Sequence, residues 1–443
     1  MSNNPNTPLP IPEVLKKYIK NLDSRTVPVI DLGHRKHLTK DEAIQDLDTF
    51  IYIFENAYAG KEHFEMQGVD FTTRYSIARQ EIENHETLDK HQFFEIIAKI
   101  IDDLCDLHLS VFTDDYFKRK HYEKHYFAFF SGILVEKKDN QYIVINSTNA
   151  DVKANDFIEP IDTDDIFFPT LSPADKSYFL LGKGSWTKVD SIDVLVNKQK
   201  VTLPLHRAKE TPSNNSGILT HTKHGNIDIL KSSTFADMNP NDPLAREKEL
   251  NRVEEICKPL RDSDQIIWDI HDNPGGDSTF PQRMVCALND NATWDCASAV
   301  LISPVIEQMV PEYIDQEENI TERYWKIYAK NKDNETAEET SSTYNGTIYA
   351  LIGTRTASSG EAALSMLKNV KNVVKIGTNT GGACTVGNVI TYSLPHSKTR
   401  LVIPCQLYLD GTEEGVGHLP DFWMDSNDLL EEVIKWLGER KDV

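Results

Sequence analysis

The chain has 443 residues, 39% of them hydrophobic, which is enough for packed cores and predicts two or three domains. Its 47 Lys and Arg stand against 69 Asp and Glu, a formal net charge of −22 that argues against nucleic acid and anionic membrane surfaces as partners. No apolar run approaches the ~18 residues of a membrane span.

Residues 1–10 read as a mobile polar Pro/Asn tail. They lack the basic and apolar regions of a secretory signal, so the cytoplasm is the expected compartment. A signal already removed would make the protein secreted or periplasmic instead. Residues 11–125 are expected to form a helical domain, with helices at 12–22, 40–60, 71–84 and 88–107. The last has apolar residues at 93, 97, 100, 101, 104 and 107, which is helical spacing, and ends at His108. The pair His121 and His125 lies in a charged stretch from Lys118. It lacks the His-Glu-x-x-His zinc pattern and reads as a solvated face.

Residues 126–212 switch to short β segments at 126–135, 141–146, 156–161, 189–196 and 200–206. Residues 213–443 alternate strands (226–230, 265–271, 298–303, 346–353, 373–377, 389–393, 400–403) with helices (242–261, 279–289, 359–369, 427–438). This alternation predicts an α/β core. The acidic-polar stretch 313–345 reads as an exposed insertion. The six cysteines, at 105, 257, 286, 296, 384 and 405, show no CxxC spacing. No metal cluster or cofactor is expected, and buried free thiols are the simplest reading, although Cys286 and Cys296 are near enough in sequence to pair.

One stretch is more informative than the rest. Ile348–Leu351, then Gly353-Thr354-Arg355-Thr356-Ala357-Ser358-Ser359-Gly360-Glu361, reads as strand, tight turn and helix. A serine there lies beside backbone N–H groups that lack intrahelical partners, at the electropositive helix end. Ser358 is therefore a candidate nucleophile. It is equally a candidate N-cap, since Ser358 and Glu361 have capping-box spacing. A second strand, Gln265–Ile270, leads into Asn273-Pro274-Gly275-Gly276, where paired glycines permit close backbone approach and an oxyanion donor, or simply a turn. His108 is a candidate base, or a histidine complementing a helix C-terminus.

Taken in order, Asp-x-His, Asp-x-x-x-Asn-Pro-Gly-Gly, Thr-Ala-Ser-Ser-Gly-Glu, Ile-Gly-x-x-Thr-Gly-Gly and Glu-x-x-Gly-x-x-Pro-Asp resemble the tail-specific, or carboxyl-terminal processing, protease family, and within it the tricorn-type branch. The resemblance runs from about residue 90 to the C-terminus. It implies a multi-domain α/β protein: a helical N-terminal domain, a β-rich domain at 126–212 that is PDZ-like or a plain β insert, and a protease core resembling the crotonase-like ββα fold. It also implies a serine peptidase acting on peptides or unfolded proteins through an acyl-enzyme on Ser358. The oxyanion donors fall on Ser359 and on Gly275 or Gly276. Members with a Ser-Lys dyad carry a lysine where this chain has Ala383, so the implied base is the histidine of the tricorn-type branch, His108, with a carboxylate at Glu414. Leu107 replaces the serine of that pattern, and His418 replaces a valine, so His418 competes as base. Glu413 competes with Glu414. Two other functions stand beside the peptidase: an inactive relative binding a peptide or apolar ligand, and an esterase or amidase for small substrates.

Overall fold

The computed structural model describes residues 37–113, 125–161, 165–213, 215–236, 242, 244–289, 297–309, 320, 323–328, 343–368, 370–409 and 411–439. The expected tail 1–10 and helix 12–22, the charged stretch 118–124, Cys296 and most of the insertion 313–345 lie outside them. The chain is a mixed α/β, multi-domain protein that divides into two compact units, each assembled from separate stretches of sequence.

One unit draws on Met1–Tyr122, Cys296–Lys330 and Thr385–Glu414. Its helices among the described residues are Lys40–Ala57, Lys61–Met66, Phe71–Glu83, Lys90–Ile101 and Pro304–Met309. Thr39 and Glu42 form a capping box at the first, and Asp89 and Gln92 at the fourth, satisfying N–H groups that a helix start leaves open. An antiparallel sheet follows, in the order Tyr324–Tyr328, Ser298–Ile302, Arg400–Tyr408, Val386–Ser393, with Ser110–Phe112 also paired to Arg400–Tyr408. Four of these strands follow residue 213 in sequence yet fold with the N-terminal helices. Phe50, Phe54, Phe93 and Ile97 share one apolar core with Val300, Leu401 and Ile403.

The other unit draws on Glu123–Asp295, Asn331–Cys384 and Gly415–Val443. Its first sheet is antiparallel, in the order Gln199–Pro204, Ser191–Val196, Phe157–Pro160, Gln141–Ser147, Phe127–Lys138, Tyr178–Ser185, Phe167–Thr170, with His206–Arg207 pairing Phe127–Lys138. Strands Phe167–Thr170 and Tyr178–Ser185 lie outside the β segments expected for this region. Gly182 is in the strand because a Cβ there would stand 2.2 Å from the Phe129 carbonyl oxygen. Only glycine allows that approach.

The second sheet runs Thr220–His224, Ile227–Lys231, Gln265–Asp269, Thr347–Ile352, Val373–Gly377, Phe422–Trp423, antiparallel at the first pair and parallel thereafter. Strand positions alternate between two cores. Trp268, Ile348 and Ala350 pack with Phe280, Met284 and Leu364 of helices Thr279–Leu288 and Ser359–Leu367. Ile267, Tyr349 and Leu351 pack on the other side with Val433 and Trp436 of helix Leu429–Glu439. Cover on both faces is why these strands read as unbroken apolar runs. Among the described residues no helix is long and apolar enough to cross a membrane.

Trp268 is 1% exposed at the centre of the larger of these cores. Trp268→Ala should lower unfolding stability by about 3–5 kcal/mol, read by urea denaturation. A loss below about 1 kcal/mol would show that this core does not hold the sheet together.

Candidate active site

Ser358 stands where a buried parallel strand, Thr347–Ile352, turns into the helix Ser359–Leu367. Its backbone holds φ 53° and ψ −120°, a region that costs a non-glycine residue about 1–3 kcal/mol. Bonds from two neighbouring loops impose it. Ala357 N–H donates to the Asn273 carbonyl at 2.9 Å, Gly381 N–H to Thr356 O at 2.7 Å, and Ser358 N–H to Ala383 O at 3.1 Å. The Thr356 hydroxyl donates to Ile270 O at 2.8 Å.

The glycine turn lies directly against this serine. Gly275 and Gly276 have φ of 101° and 134°, and a Cβ on Gly275 would meet Ser358 Cβ at 2.7 Å and Ser359 N at 2.8 Å. Asn273 sets the turn, its Oδ1 accepting Gly275 N–H at 2.8 Å and its Nδ2 donating to Ser232 O at 3.0 Å. Ser359 Oγ donates to Gly276 O at 2.7 Å. Ser358, Ser359, Gly275 and Gly276, separated by some eighty residues of sequence, thus form one cluster.

Under the serine lies Glu361, fully buried. Its carboxylate accepts from the Thr380 hydroxyl at 2.5 Å, Gly382 N–H at 2.9 Å and Ser358 N–H at 3.2 Å. Burial nevertheless pushes its pKa up to about 7, with those hydrogen bonds pulling the other way. His418 is also buried. Its N–H donates to Thr380 Oγ1 at 2.7 Å, and its Nε2 lies 3.4 Å from Ser365 Oγ.

In the unit that carries it, His108 is not at a helix end as expected. The helix stops at Ile101, and His108 sits in the loop beyond. The short side chain of Asp106 competes for backbone N–H groups there, as Asp does in turns. Its Oδ1 accepts from His108 N–H at 2.9 Å and Leu109 N–H at 3.0 Å, and Tyr58 Oη donates to its Oδ2 at 2.7 Å. Burial raises the Asp106 carboxyl to about 6, against those three hydrogen bonds. Burial also raises the Tyr58 hydroxyl, and the neighbouring Asp106 charge adds to it.

Glu414 reaches the same loop from the far end of the sequence. Its Oε1 accepts from Leu107 N–H at 3.1 Å and its Oε2 from Thr385 N–H at 2.8 Å. Asp106, His108 and Glu414 each offer one ligand atom, all within 4.8 Å of one another. Such a set suits a divalent cation, or an imidazole flanked by carboxylates. Glu413 is exposed by contrast. Sequence reasoning passed over Tyr58 and the structural part of Asp106. Tyr58 carries no local signal, whereas the Asp-x-His spacing was visible. Among the described cysteines none is in a disulfide.

Residues 230–422, which include the glycine turn, the serine turn, Glu414 and His418, match the model of peptidase family S41. No curated protein matches the chain in sequence. Similar solved structures include mature CPAF, with 13% identity over 90% of this chain and 97% of that one and a TM-score of 0.49. The photosystem II D1 C-terminal processing protease shows 14% identity over 88% and 94%, with a TM-score of 0.38. The tricorn protease shows 13% identity over 91% and 37%, with a TM-score of 0.39.

Both buried carboxyls have folded pKa values above their ordinary range, so the folded chain holds their protons more tightly than the unfolded chain does. The stability this contributes is complete below about pH 4 and is lost as pH rises through about 6 for Asp106 and about 7 for Glu361. Asp106→Asn, which does not titrate, should therefore gain stability relative to the native chain as pH rises from 4 to 7. Parallel melting curves across that range test this, and a pH-independent difference would refute it.

The chain is similar to peptidase family S41 over residues 230–422, and it is a serine-type peptidase, a hydrolase.

Proposed function

We propose that this peptidase cleaves peptide bonds through an acyl-enzyme on Ser358, with His108 as base and Glu414 as its carboxylate partner. The observation that carries the reading is the strained Ser358 turn with the Gly275-Gly276 turn packed beneath it. Nucleophilic serines are presented on sharp strand-to-helix turns of this kind. Ser358 Oγ would attack the peptide carbonyl while His108 accepts its proton, then returns it to the leaving amine. Water would release the acyl group by the same route in reverse.

Gly275 N–H already donates to Asn273 Oδ1. Gly276 and Ser359 are therefore the N–H groups we assign to the oxyanion, with Gly275 supplying the close approach and the helix N-terminus adding a favourable field. His108 is preferred to His418 because its ring nitrogen lies within 4.8 Å of Glu414 and Asp106 carboxylate oxygens, which can orient an imidazole and stabilise its charged form. His418 is directed to Ser365 on the serine helix. Glu414 is preferred to Glu413 because its carboxylate accepts the Leu107 N–H next to the base. A histidine base with Ala383 in place of a lysine is the tricorn-type arrangement. The β-rich region 126–212 is read as a PDZ-like module that would hold an extended peptide by strand addition.

Ser358→Ala should abolish hydrolysis of a fluorogenic peptide and covalent labelling by a fluorophosphonate, while the melting temperature stays near native. Hydrolysis at the native rate would end the assignment, and absence of labelling in both proteins would favour an inert peptide-binding relative. His108→Ala should lose at least about 100-fold more activity than His418→Ala, as removal of a general base does; the reverse order would move the base to His418. Chelation should leave turnover unchanged, and inhibition reversed by added zinc would assign Asp106, His108 and Glu414 to a metal.

A further inference from the structure

Glu361 does more than cap a helix. An N-cap partner at a helix start is ordinarily solvated, and its two oxygens need only one backbone N–H. Here the side chain is buried completely, and its donors come from two separate turns, one of them tied in turn to a third. Oε2 accepts Ser358 N–H at 3.2 Å, within the serine turn. Oε1 accepts the Thr380 hydroxyl at 2.5 Å and Gly382 N–H at 2.9 Å, from the turn that follows strand Val373–Gly377. Thr380 Oγ1 itself accepts His418 N–H at 2.7 Å, which commits the hydroxyl proton to Glu361 and draws in the third turn.

The packing leaves no slack. A Cβ on Gly417, whose φ is 70°, would stand 2.1 Å from Thr380 Oγ1 and 2.5 Å from Glu361 Oε1. Gly382, with φ 76°, packs on the Gly415 backbone, and Gly415 N–H donates to Gly382 O at 2.8 Å. Every neighbour hydrogen-bonded to the carboxylate is a donor, so the ionised form satisfies all of them at once. The nearest titratable side chain bonded into the cluster is His418, through its backbone and Thr380.

We infer that Glu361 is a positioning residue for Ser358: its carboxylate bolts the strained serine turn to the turns at 380–382 and 417–418, and so fixes the direction of the Ser358 hydroxyl. This rests on the reading of Ser358 as nucleophile. Glu361 touches no substrate in this scheme and acts through the Ser358 backbone.

Glu361→Gln tests it with almost no change of shape. With the amide oxygen kept toward Thr380 and Gly382, the amide nitrogen faces Ser358 N–H, donor against donor. On a fluorogenic peptide, kcat should fall about 10–100-fold, the scale of a misplaced reacting group, with KM within about threefold. Fluorophosphonate labelling of Ser358 should slow in parallel. Hydrogen exchange at the Ser358 amide should accelerate while Gly382 stays protected. A purely structural residue would shift the melting temperature without this split between kcat and KM or between the two amides. Unchanged kcat together with unchanged Ser358 exchange would overturn the inference. Should Glu361→Gln fail to fold, Thr380→Val releases the same carboxylate from the neighbouring turns, and a native kcat in that variant would equally overturn it. Full activity in Ser358→Ala would instead defeat the nucleophile reading; faster Ser358 exchange in Glu361→Gln would then still support the bolting of the turn, and unchanged exchange would refute it.

Discussion

A single backbone conformation, Ser358 at φ 53°, constrains much of the chain packed around it. An L-residue does not stay there unaided. The surrounding chain must supply carbonyls for Ala357 and Ser358, a residue without Cβ at 275, and a bonded partner beneath the helix start. Apart from Glu361 on the serine's own helix, these requirements are met from two strand ends of the same parallel sheet. The Asn273–Gly276 turn follows Gln265–Asp269, and the 380–383 turn follows Val373–Gly377. Strand ends on one edge of a parallel sheet are brought together by the hydrogen-bond register, so sheet order determines which turns can brace the serine.

Electrostatics run against stability at both polar clusters. Asp106 and Glu361 are buried carboxyls whose ionised forms cost the folded state, as their raised pKa values show. Replacing water by fixed donors compensates only in part. What such groups provide is direction. Asp106 ties Tyr58 to the backbone of the His108 loop, and Glu361 ties the serine turn to its neighbours. Loss of stability in exchange for a preorganised site is the usual compromise of active centres.

Much of the organisation was legible in the linear sequence. The apolar run Ile348–Ile352, the small-residue turn and the helix after it announced the serine turn, because strand and helix starts have local chemistry. The helix at 90–101 and its buried stripe followed from periodicity, and the alternation of elements after 213 predicted the mixed α/β architecture. Errors fell where local signals mislead. The strand Tyr178–Ser185 carries glycines at 182 and 184 whose causes, the Phe129 carbonyl and the Tyr126 ring, lie more than fifty residues away. The helix before His108 ends at Ile101 rather than at 107, and the loop beyond it is held by Asp106 and by Glu414 from the far end of the sequence.

By itself, then, the order of residues determined most of the element types, the serine and glycine turns, and the alanine at 383. Those depend on propensity, periodicity and residue identity, which act over a few positions. Only the tertiary structure decided that Glu414 rather than Glu413 meets the His108 loop, that His418 turns toward Ser365, and that Glu361 is a buried brace as well as a cap. These contacts join residues as far as 307 positions apart. Burial and hydrogen-bond direction between such residues exist only after the sheets have set their register, so no local pattern encodes them.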